Sequence, residues 1–171
     1  RIALPTPEDI EDALAAAYAD NDRWRTRPAS ERDQVLRAAA QLLRERRGEL
    51  MGAAMAECGK IFSESDPEVS EAVDFVEYYL RSATDFRQVP GVRAEGQGVV
   101  VVVPPWNFPI AIPCGGIAAA LAAGNNAILK PASDAVLVAH ELCKCFWRAG
   151  VPAEALQFLP CSGATVGSTL V

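Results

Sequence analysis

Apolar residues recur at two different spacings along this chain, and the change falls near residue 90. Before that point the spacing is that of helices with one buried face, and it predicts helices over 7–19, 30–57 and 65–86. Thr6 is placed to cap the first helix, and Gly48 marks a kink or a cap within the second. The first half of the chain is therefore predicted to be helical.

Beyond residue 90, short apolar runs alternate with helical segments. The predicted strands lie near 98–103, 126–130 and 156–159, the helices lie near 112–123 and 134–149, and a last helix begins around Gly163. The first run is an uninterrupted row of valines, which is typical of a parallel strand buried on both faces. The predicted fold class is therefore α/β, with a helical part over 1–90 followed by a Rossmann-like parallel βαβαβ sheet over 91–171.

The charge of the chain narrows its possible partners. With a net charge of −6 and a pI near 4.8, the chain lacks the basic stripe that nucleic-acid binding needs. Its one dense basic cluster, Arg44, Arg46 and Arg47, lies among acidic residues and is interpreted as a solvated helix face. Proline, glycine and asparagine interrupt the apolar run over 110–129, so no membrane span is expected.

The cysteines indicate a reducing environment and no metal site. Five are present, an odd number without paired spacings, and no signal peptide is recognisable, so we expect a cytoplasmic protein. Cys143 and Cys145 are separated by one residue in a helical segment, with His140 nearby. A zinc site needs four converging ligands and usually a wider cysteine spacing, so no metal site is predicted.

The loop that follows the valine strand, Pro104–Pro109, is the first candidate site. Its prolines restrict the backbone, so Trp106 and Asn107 are predicted to lie in a rigid loop at the carboxyl edge of the sheet, where α/β proteins bind ligands. An asparagine amide there can donate a hydrogen bond to a developing oxyanion. The alternative is that Asn107 bonds to its own loop backbone and Trp106 fills the core.

Two further loops are predicted at the same edge. Lys130 ends the second strand, where doubly wound sheets typically meet the ribose of a dinucleotide, and Ser133 follows in the same loop. The alternative for Lys130 is an exposed lysine at a strand end. After the third strand, the spacing of Gly163 and Gly167 permits close approach of a backbone or a phosphate. The usual glycine fingerprint of dinucleotide sites is absent from the first turn.

Four segments together resemble the aldehyde dehydrogenase superfamily in order and spacing. They are the P-W-N-F-P loop, the A-L-A-A-G-N segment, the L-K-P-A turn and the G-x-x-x-G helix start. The E-C-G-K at 57–60 is also similar to the family's E-x-G-K. The resemblance covers nearly the whole chain and implies the first part of the family's cofactor-binding domain. The E-C-G-K, the doubled proline and the segment 156–163 resemble bacterial Δ1-pyrroline-5-carboxylate dehydrogenases, some of which are domains of bifunctional proline-utilisation proteins.

The resemblance implies a role for each candidate residue. Asn107 supplies the oxyanion-hole amide and is the catalytic residue of this segment, while Pro105 and Trp106 line the cofactor cleft beside it. Lys130 bonds to the adenosine ribose. Ser133 stands where many family members carry a glutamate that chelates the ribose hydroxyls and repels a 2′-phosphate. Because serine lacks that repulsion, NAD is the expected cofactor but NADP stays open.

The same resemblance implies that Gly163 and Gly167 allow the cofactor to approach closely. The family's nucleophilic cysteine, its general-base glutamate and its F-T-G-S nicotinamide motif are expected beyond Val171. Neither Cys114 nor Cys161 has the family's G-Q-x-C context, so both are expected to be small buried or turn residues.

The chain is therefore expected to be an inactive piece of a longer enzyme that is a homo-oligomer when intact. That enzyme is expected to oxidise glutamate 5-semialdehyde to glutamate in proline catabolism. Three alternatives are a dehydrogenase for another aldehyde, a non-catalytic binding or structural module, and an unrelated nucleotide-binding domain.

Overall fold

The structure, a computed structural model, describes residues 3–163 of the 171 in the chain. The helices within that range are α1 (Pro7–Ala19), α2 (Ala29–Glu45), α3 (Arg47–Cys58), α4 (Phe62–Arg87), α5 (Ala111–Ala122) and α6 (Val136–Ala149), and the strands are β1 (Val99–Val102), β2 (Asn126–Leu129) and β3 (Leu156–Phe158). This order confirms the helical first part and the βαβαβ second part. Beyond Gly163, the last predicted helix lies outside the described residues.

Thr6 caps the start of helix α1, as the sequence predicts. Thr6 Oγ1 accepts a hydrogen bond from Asp9 N at 3.2 Å, and Thr6 N donates to Asp9 Oδ2 at 2.7 Å. These two bonds satisfy backbone groups that a helix leaves unpaired at its start. The bond from Thr6 N to the Asp9 carboxylate, together with one from Thr6 Oγ1 at 2.7 Å, lowers the pKa of Asp9 below its ordinary value.

The second predicted helix is in fact two helices, and the break at Arg46 corrects two expectations. Arg46 lies between α2 and α3, so the chain does not kink at Gly48. The Arg46 guanidinium is buried and bonds to Glu141 Oε2 at 2.7 Å and to Glu49, so it does not belong to a solvated face. Burial opposes its charge, but these carboxylates raise the pKa of Arg46 above its ordinary value. Arg46 therefore fastens the corner between α2 and α3 to α6.

Helix α4 begins at Phe62, earlier than the predicted start at Ser65. Ile61 N donates to Glu64 Oε2 at 3.4 Å, and Ser65 Oγ donates to Ile61 O at 3.0 Å, so the first turn is already closed before Pro67. The proline that suggested the helix start lies inside the helix instead.

The three strands form one parallel sheet in the order β1-β2-β3. Val99 of β1 is level with Asn126 of β2, and Ala127 is level with Leu156 of β3. Helix α5 connects β1 to β2, and α6 connects β2 to β3. The loops that follow the parallel strands therefore meet at one edge of the sheet, the carboxyl edge, as the sequence predicts.

Helices cover both faces of this sheet. Val102 and Leu129 belong to a large buried cluster with side chains of α2 to α6, whereas Ile128 packs with α1 on the other face. Because the large cluster draws on both halves of the chain, the parts 1–90 and 91–171 share one core. The boundary between them stays a prediction.

Helix α5 packs against β1 at a position where only glycine fits. A Cβ at Gly116 would lie 2.6 Å from Val102 Cγ1, well inside van der Waals contact. Helix α5, which is rich in alanine and glycine, is therefore pressed closely against the sheet.

Bonded asparagines close the opposite, amino edge of the sheet. Asn125 Oδ1 accepts a hydrogen bond from Gly98 N at 2.9 Å, and its Nδ2 donates to Ala120 O at 3.2 Å. Asn126 Nδ2 donates to Ala17 O at 2.8 Å, which ties β2 to α1. Both asparagines are buried, so their role in the described structure is to satisfy backbone groups.

Candidate functional site

The loop Pro104–Pro109 follows β1 and reaches the carboxyl edge. Trp106 is 55% exposed, so it does not fill the core as the alternative interpretation required. Asn107 is also exposed, and within residues 3–163 its side chain has no hydrogen-bond partner, so it does not satisfy the loop backbone. Pro105, between β1 and Trp106, is exposed at the same edge. An amide held in this way is available to a ligand.

A buried carboxylate holds the far end of this loop. Glu68 of α4 is almost completely buried, and its Oε1 accepts hydrogen bonds from Ile110 N at 2.7 Å and from Ala111 N at 3.1 Å. These are backbone groups at the start of α5, where a negative charge also complements the helix dipole. The chain that leaves the Asn107 loop is therefore bonded to α4.

A lysine completes this arrangement. Lys60 Nζ lies 2.6 Å from Glu68 Oε2 and 4.5 Å from the centroid of the Phe108 ring. Only 11% of the Lys60 side chain is exposed, so both of its contacts are largely shielded from water. Lys60 thus contacts both the capping carboxylate and the residue that follows Asn107.

A cavity of about 430 Å³ lies between the segment 58–60 and the Asn107 loop. Its walls also include residues from the first turns of α4, and the full lining is Cys58, Gly59, Lys60, Ser63, Glu64, Pro67, Trp106, Asn107 and Phe108. Asn107 is therefore the amide of a concave site, which is where enzymes place groups that contact a reacting substrate.

The loop after β2 brings Lys130 and Ser133 to the same edge. Lys130 is only 9% exposed, so the alternative of an exposed lysine at a strand end is wrong. Its Nζ donates to Pro131 O at 3.1 Å, and the other two N–H donors have no partner within the described range. Ser133 is exposed. The loop therefore presents two N–H donors of the Lys130 ammonium and, close by in the chain, the Ser133 hydroxyl.

A second glutamate caps the helix that follows this loop. Glu57 Oε1 accepts a hydrogen bond from Leu137 N at 2.8 Å, and Glu57 Oε2 accepts one from Val138 N at 2.9 Å. Cys58 Sγ lies 3.3 Å from Asp134 O, in the same loop. Burial raises the pKa of the Cys58 thiol, so it stays protonated as a donor near neutral pH.

The third loop contributes less to the described site. Gly163 is exposed, and a Cβ added to it would meet no atom of residues 3–163 within 4 Å. Gly167 lies outside the described residues. The predicted roles of both glycines in close approach of a cofactor therefore stay predictions.

Four of the five described cysteines are buried as small core residues, and Cys58, at the cavity, is half-buried. Cys114 and Cys161 are buried, as expected, and burial raises the pKa of Cys114 well above its ordinary value. Cys143 is also fully buried, with its pKa raised. Among residues 3–163, no three histidine, cysteine, aspartate or glutamate side chains are grouped so that they could hold a metal ion. No helix in that range is long and apolar enough to cross a membrane.

Sequence reasoning missed the residues that hold the two loops. It noted Glu57 and Lys60 only as part of a motif, and it did not single out Glu68. One signal was present, because Glu68 stands four and eight residues before Ala72 and Val76 on the buried stripe of α4. A carboxylate on such a stripe requires a buried partner.

Comparisons with known proteins show which family and which folds the chain is similar to. The chain matches the aldehyde dehydrogenase family over residues 1–171. It is 41% identical over 165 residues to the bifunctional protein PutA of Escherichia coli (strain K12). It is 35% identical over 176 residues to 1-pyrroline-5-carboxylate dehydrogenase of Staphylococcus aureus (strain MW2).

The same fold occurs in a crystal structure of 1-pyrroline-5-carboxylate dehydrogenase from Thermus with bound NAD. The two structures have a TM-score of 0.89 at 37% identity, over 98% of this chain and 35% of that protein. The chain spans 12% of the length of the E. coli relative and 34% of that of the S. aureus relative. It thus corresponds to a limited part of each of these proteins.

Proposed function

Because the chain belongs to the aldehyde dehydrogenase family, we propose that it forms the first part of the cofactor-binding domain of an NAD-dependent aldehyde dehydrogenase. The complete protein oxidises glutamate 5-semialdehyde, the open form of Δ1-pyrroline-5-carboxylate, to glutamate. The names of the relatives support this substrate, and the Thermus structure with bound NAD supports the cofactor. The observation that carries the proposal is the exposed Asn107 amide, which has no partner within residues 3–163.

The chemistry assigned to this segment is stabilisation of negative charge. When a nucleophilic thiolate, supplied by the rest of the polypeptide, adds to the aldehyde carbon, the carbonyl electron pair moves to oxygen. Asn107 Nδ2 donates a hydrogen bond to that oxygen, and because the amide is neutral it does not titrate with pH. The prolines of the loop and the capped start of α5 keep the amide in place, so little reorganisation accompanies the reaction.

The residues at the carboxyl edge also fit a dinucleotide. Lys130 offers two unbonded N–H donors, among the described residues, to the hydroxyls of the adenosine ribose, and Ser133 offers a hydroxyl beside them. Pro105 and Trp106 supply an exposed surface next to Asn107 in the chain, and among the described residues no atom fills the space at the Gly163 α-carbon. NAD, when bound, supplies the hydride acceptor.

Steady-state kinetics of the complete protein that carries this segment test the proposal. We expect NADH formation from Δ1-pyrroline-5-carboxylate, with a higher kcat/KM than from propanal or succinate semialdehyde, and a lower rate with NADP than with NAD. A higher kcat/KM with another aldehyde would refute the substrate and keep the enzyme class. Absence of any aldehyde-dependent NADH formation would favour a non-catalytic module.

A further inference from the structure

We propose that Lys60 and Glu68 are positioning residues that hold the Asn107 loop in its working geometry through a buried ion pair. The inference rests on the proposed function, since it concerns the amide that stabilises the oxyanion. Both residues lie far from Asn107 in the sequence. We propose no contact between either of them and the substrate or the cofactor. Glu68 acts through the backbone N–H groups at the start of α5, and Lys60 acts through the Phe108 ring and Glu68.

Asn107 depends on its neighbours for its position. Within the described residues its side chain has no hydrogen bond, and it is exposed. On one side the backbone is restricted by Pro104 and Pro105. On the other side it continues through Phe108 into α5. The geometry of that second side therefore decides where the amide points.

Glu68 and Lys60 fix the Phe108 side of the loop at two places. Glu68 Oε1 bonds to both Ile110 N and Ala111 N, which are three and four residues beyond Asn107. Lys60 Nζ contacts the Phe108 ring, directly beside Asn107, and lies 2.6 Å from Glu68 Oε2. One ion pair thus restrains the loop from its tip to the helix start.

The burial of a charged pair at this place has a geometric reason. Buried ion pairs contribute little net stability, because removing two charges from water offsets most of their attraction. An apolar pair of the same size would fill the space between α3 and α4 as well. Only a carboxylate, however, can accept two backbone hydrogen bonds at the start of α5, and a carboxylate in that position needs a cation. The ion pair therefore serves to position the start of α5 and the Asn107 loop.

The test uses the complete enzyme and the variant Lys60→Met, which keeps the length of the side chain and removes its charge. We expect kcat to fall roughly tenfold to hundredfold, the range for a catalytic group displaced by about 1 Å. The Kd for NAD, measured by calorimetry, changes by a smaller factor than kcat, because the Lys130 loop is held by Glu57 instead. Hydrogen exchange at Ile110 N and Ala111 N becomes faster. Lys60→Arg restores most of kcat.

The chain offers a matched control in a second ion pair that involves α4. Asp33 pairs with Arg87 near the other end of α4 at 2.9 Å, also partly buried. Asp33→Asn is expected to lower Tm while leaving kcat and exchange at the start of α5 unchanged. A fall in kcat equal to that of Lys60→Met would show that any loosening of α4 suffices, and would overturn the proposal.

A double variant keeps the proposal falsifiable if Lys60→Met folds poorly. Lys60→Met with Glu68→Gln leaves no unpaired buried charge, so we expect Tm to recover while kcat stays low, because a neutral amide accepts more weakly. Wild-type kcat in this variant would overturn the proposal. If the wild-type enzyme shows no aldehyde dehydrogenase activity, the proposed function fails, whereas exchange at Ile110 N and Ala111 N still decides whether the ion pair holds the loop.

Discussion

The two edges of the sheet use asparagine in opposite ways. At the amino edge, Asn125 is buried and bonds to Gly98 N and Ala120 O. At the carboxyl edge, Asn107 is exposed, and its amide has no partner within residues 3–163. The Asn125 amide is used in hydrogen bonds to the backbone, whereas the Asn107 amide is available to a ligand.

This difference shows where rigidity comes from at each edge. Asn125 restrains the chain with its own hydrogen bonds, so it contributes directly to stability. The loop around Asn107 is restrained by other residues, the prolines and the Lys60–Glu68 pair, which leaves the amide unbonded. A functional group can be both fixed and available only if its neighbours supply the rigidity. We therefore expect substitution of Asn107 to affect activity and substitution of Asn125 to affect stability.

The largest effect is expected for Asn107→Ala in the complete enzyme. Loss of one oxyanion donor lowers kcat by roughly 10²–10³-fold, and the Kd for NAD changes little. Because the side chain is exposed and unbonded in the described structure, Tm is expected to stay at its wild-type value. Steady-state kinetics, cofactor titration and thermal unfolding together check this. Unchanged turnover would rule out the role of Asn107.

Asn125→Ala tests the other side of the comparison. It leaves Gly98 N buried and without its partner, so we expect a loss of about 1–3 kcal/mol in the free energy of unfolding. The kcat per folded molecule should not change. Urea unfolding and kinetics below the transition measure the two quantities. A variant with normal stability and impaired turnover would contradict the division between the edges.

Lys130→Met addresses the second loop of the carboxyl edge. A hydrogen bond from an ammonium to a ligand contributes about 1.5 kcal/mol or more, so we expect the Kd for NAD to rise about tenfold. Methionine keeps the volume of this nearly buried side chain, so stability is preserved. Calorimetric titration with NAD gives the answer, and an unaltered Kd would refute the contact with the ribose.

Much of this fold could be predicted because its signals are local. The valine run, the turn prolines and the N-cap at Thr6 each depend on residues close together in the chain, and the strands lie where the spacing placed them. The carboxyl edge followed from parallel strand order, which brings the loops after successive strands together. That argument was sufficient to place Asn107 and Lys130 at one edge.

The missed features depend on contacts between distant residues. The break at Arg46 is fastened by Glu141, which is 95 positions away. The bond from Ile110 N to Glu68 spans 42 positions, and the bond from Val138 N to Glu57 spans 81. Glu68 and Glu57 accept their hydrogen bonds from backbone N–H groups, which every residue except proline carries. Because the partners of Glu68 and Glu57 are backbone groups, the side chains around those partners carry no signal of the pairing.

Ser133 offers the smallest and most specific test of the carboxyl edge. The residue is exposed, and its loop is held by Cys58 and Glu57, so a longer side chain there meets solvent or cofactor without disturbing the core. In Ser133→Glu the new carboxylate lies near the position expected for the ribose 2′-oxygen. We expect kcat/KM with NADP to fall about fivefold relative to NAD, the effect of an exposed like-charge contact of about 1 kcal/mol.

Ser133→Gln is the matched control for this change, because it adds the same bulk without the charge. If the glutamine variant discriminates against NADP as strongly as the glutamate variant, size and not charge sets the preference at this position. If neither variant changes the ratio, the ribose does not approach Ser133. The Lys130 loop would then bind the cofactor through the ammonium alone. A difference between the two variants that disappears at high salt is the result that charge repulsion requires, since exposed charges are screened.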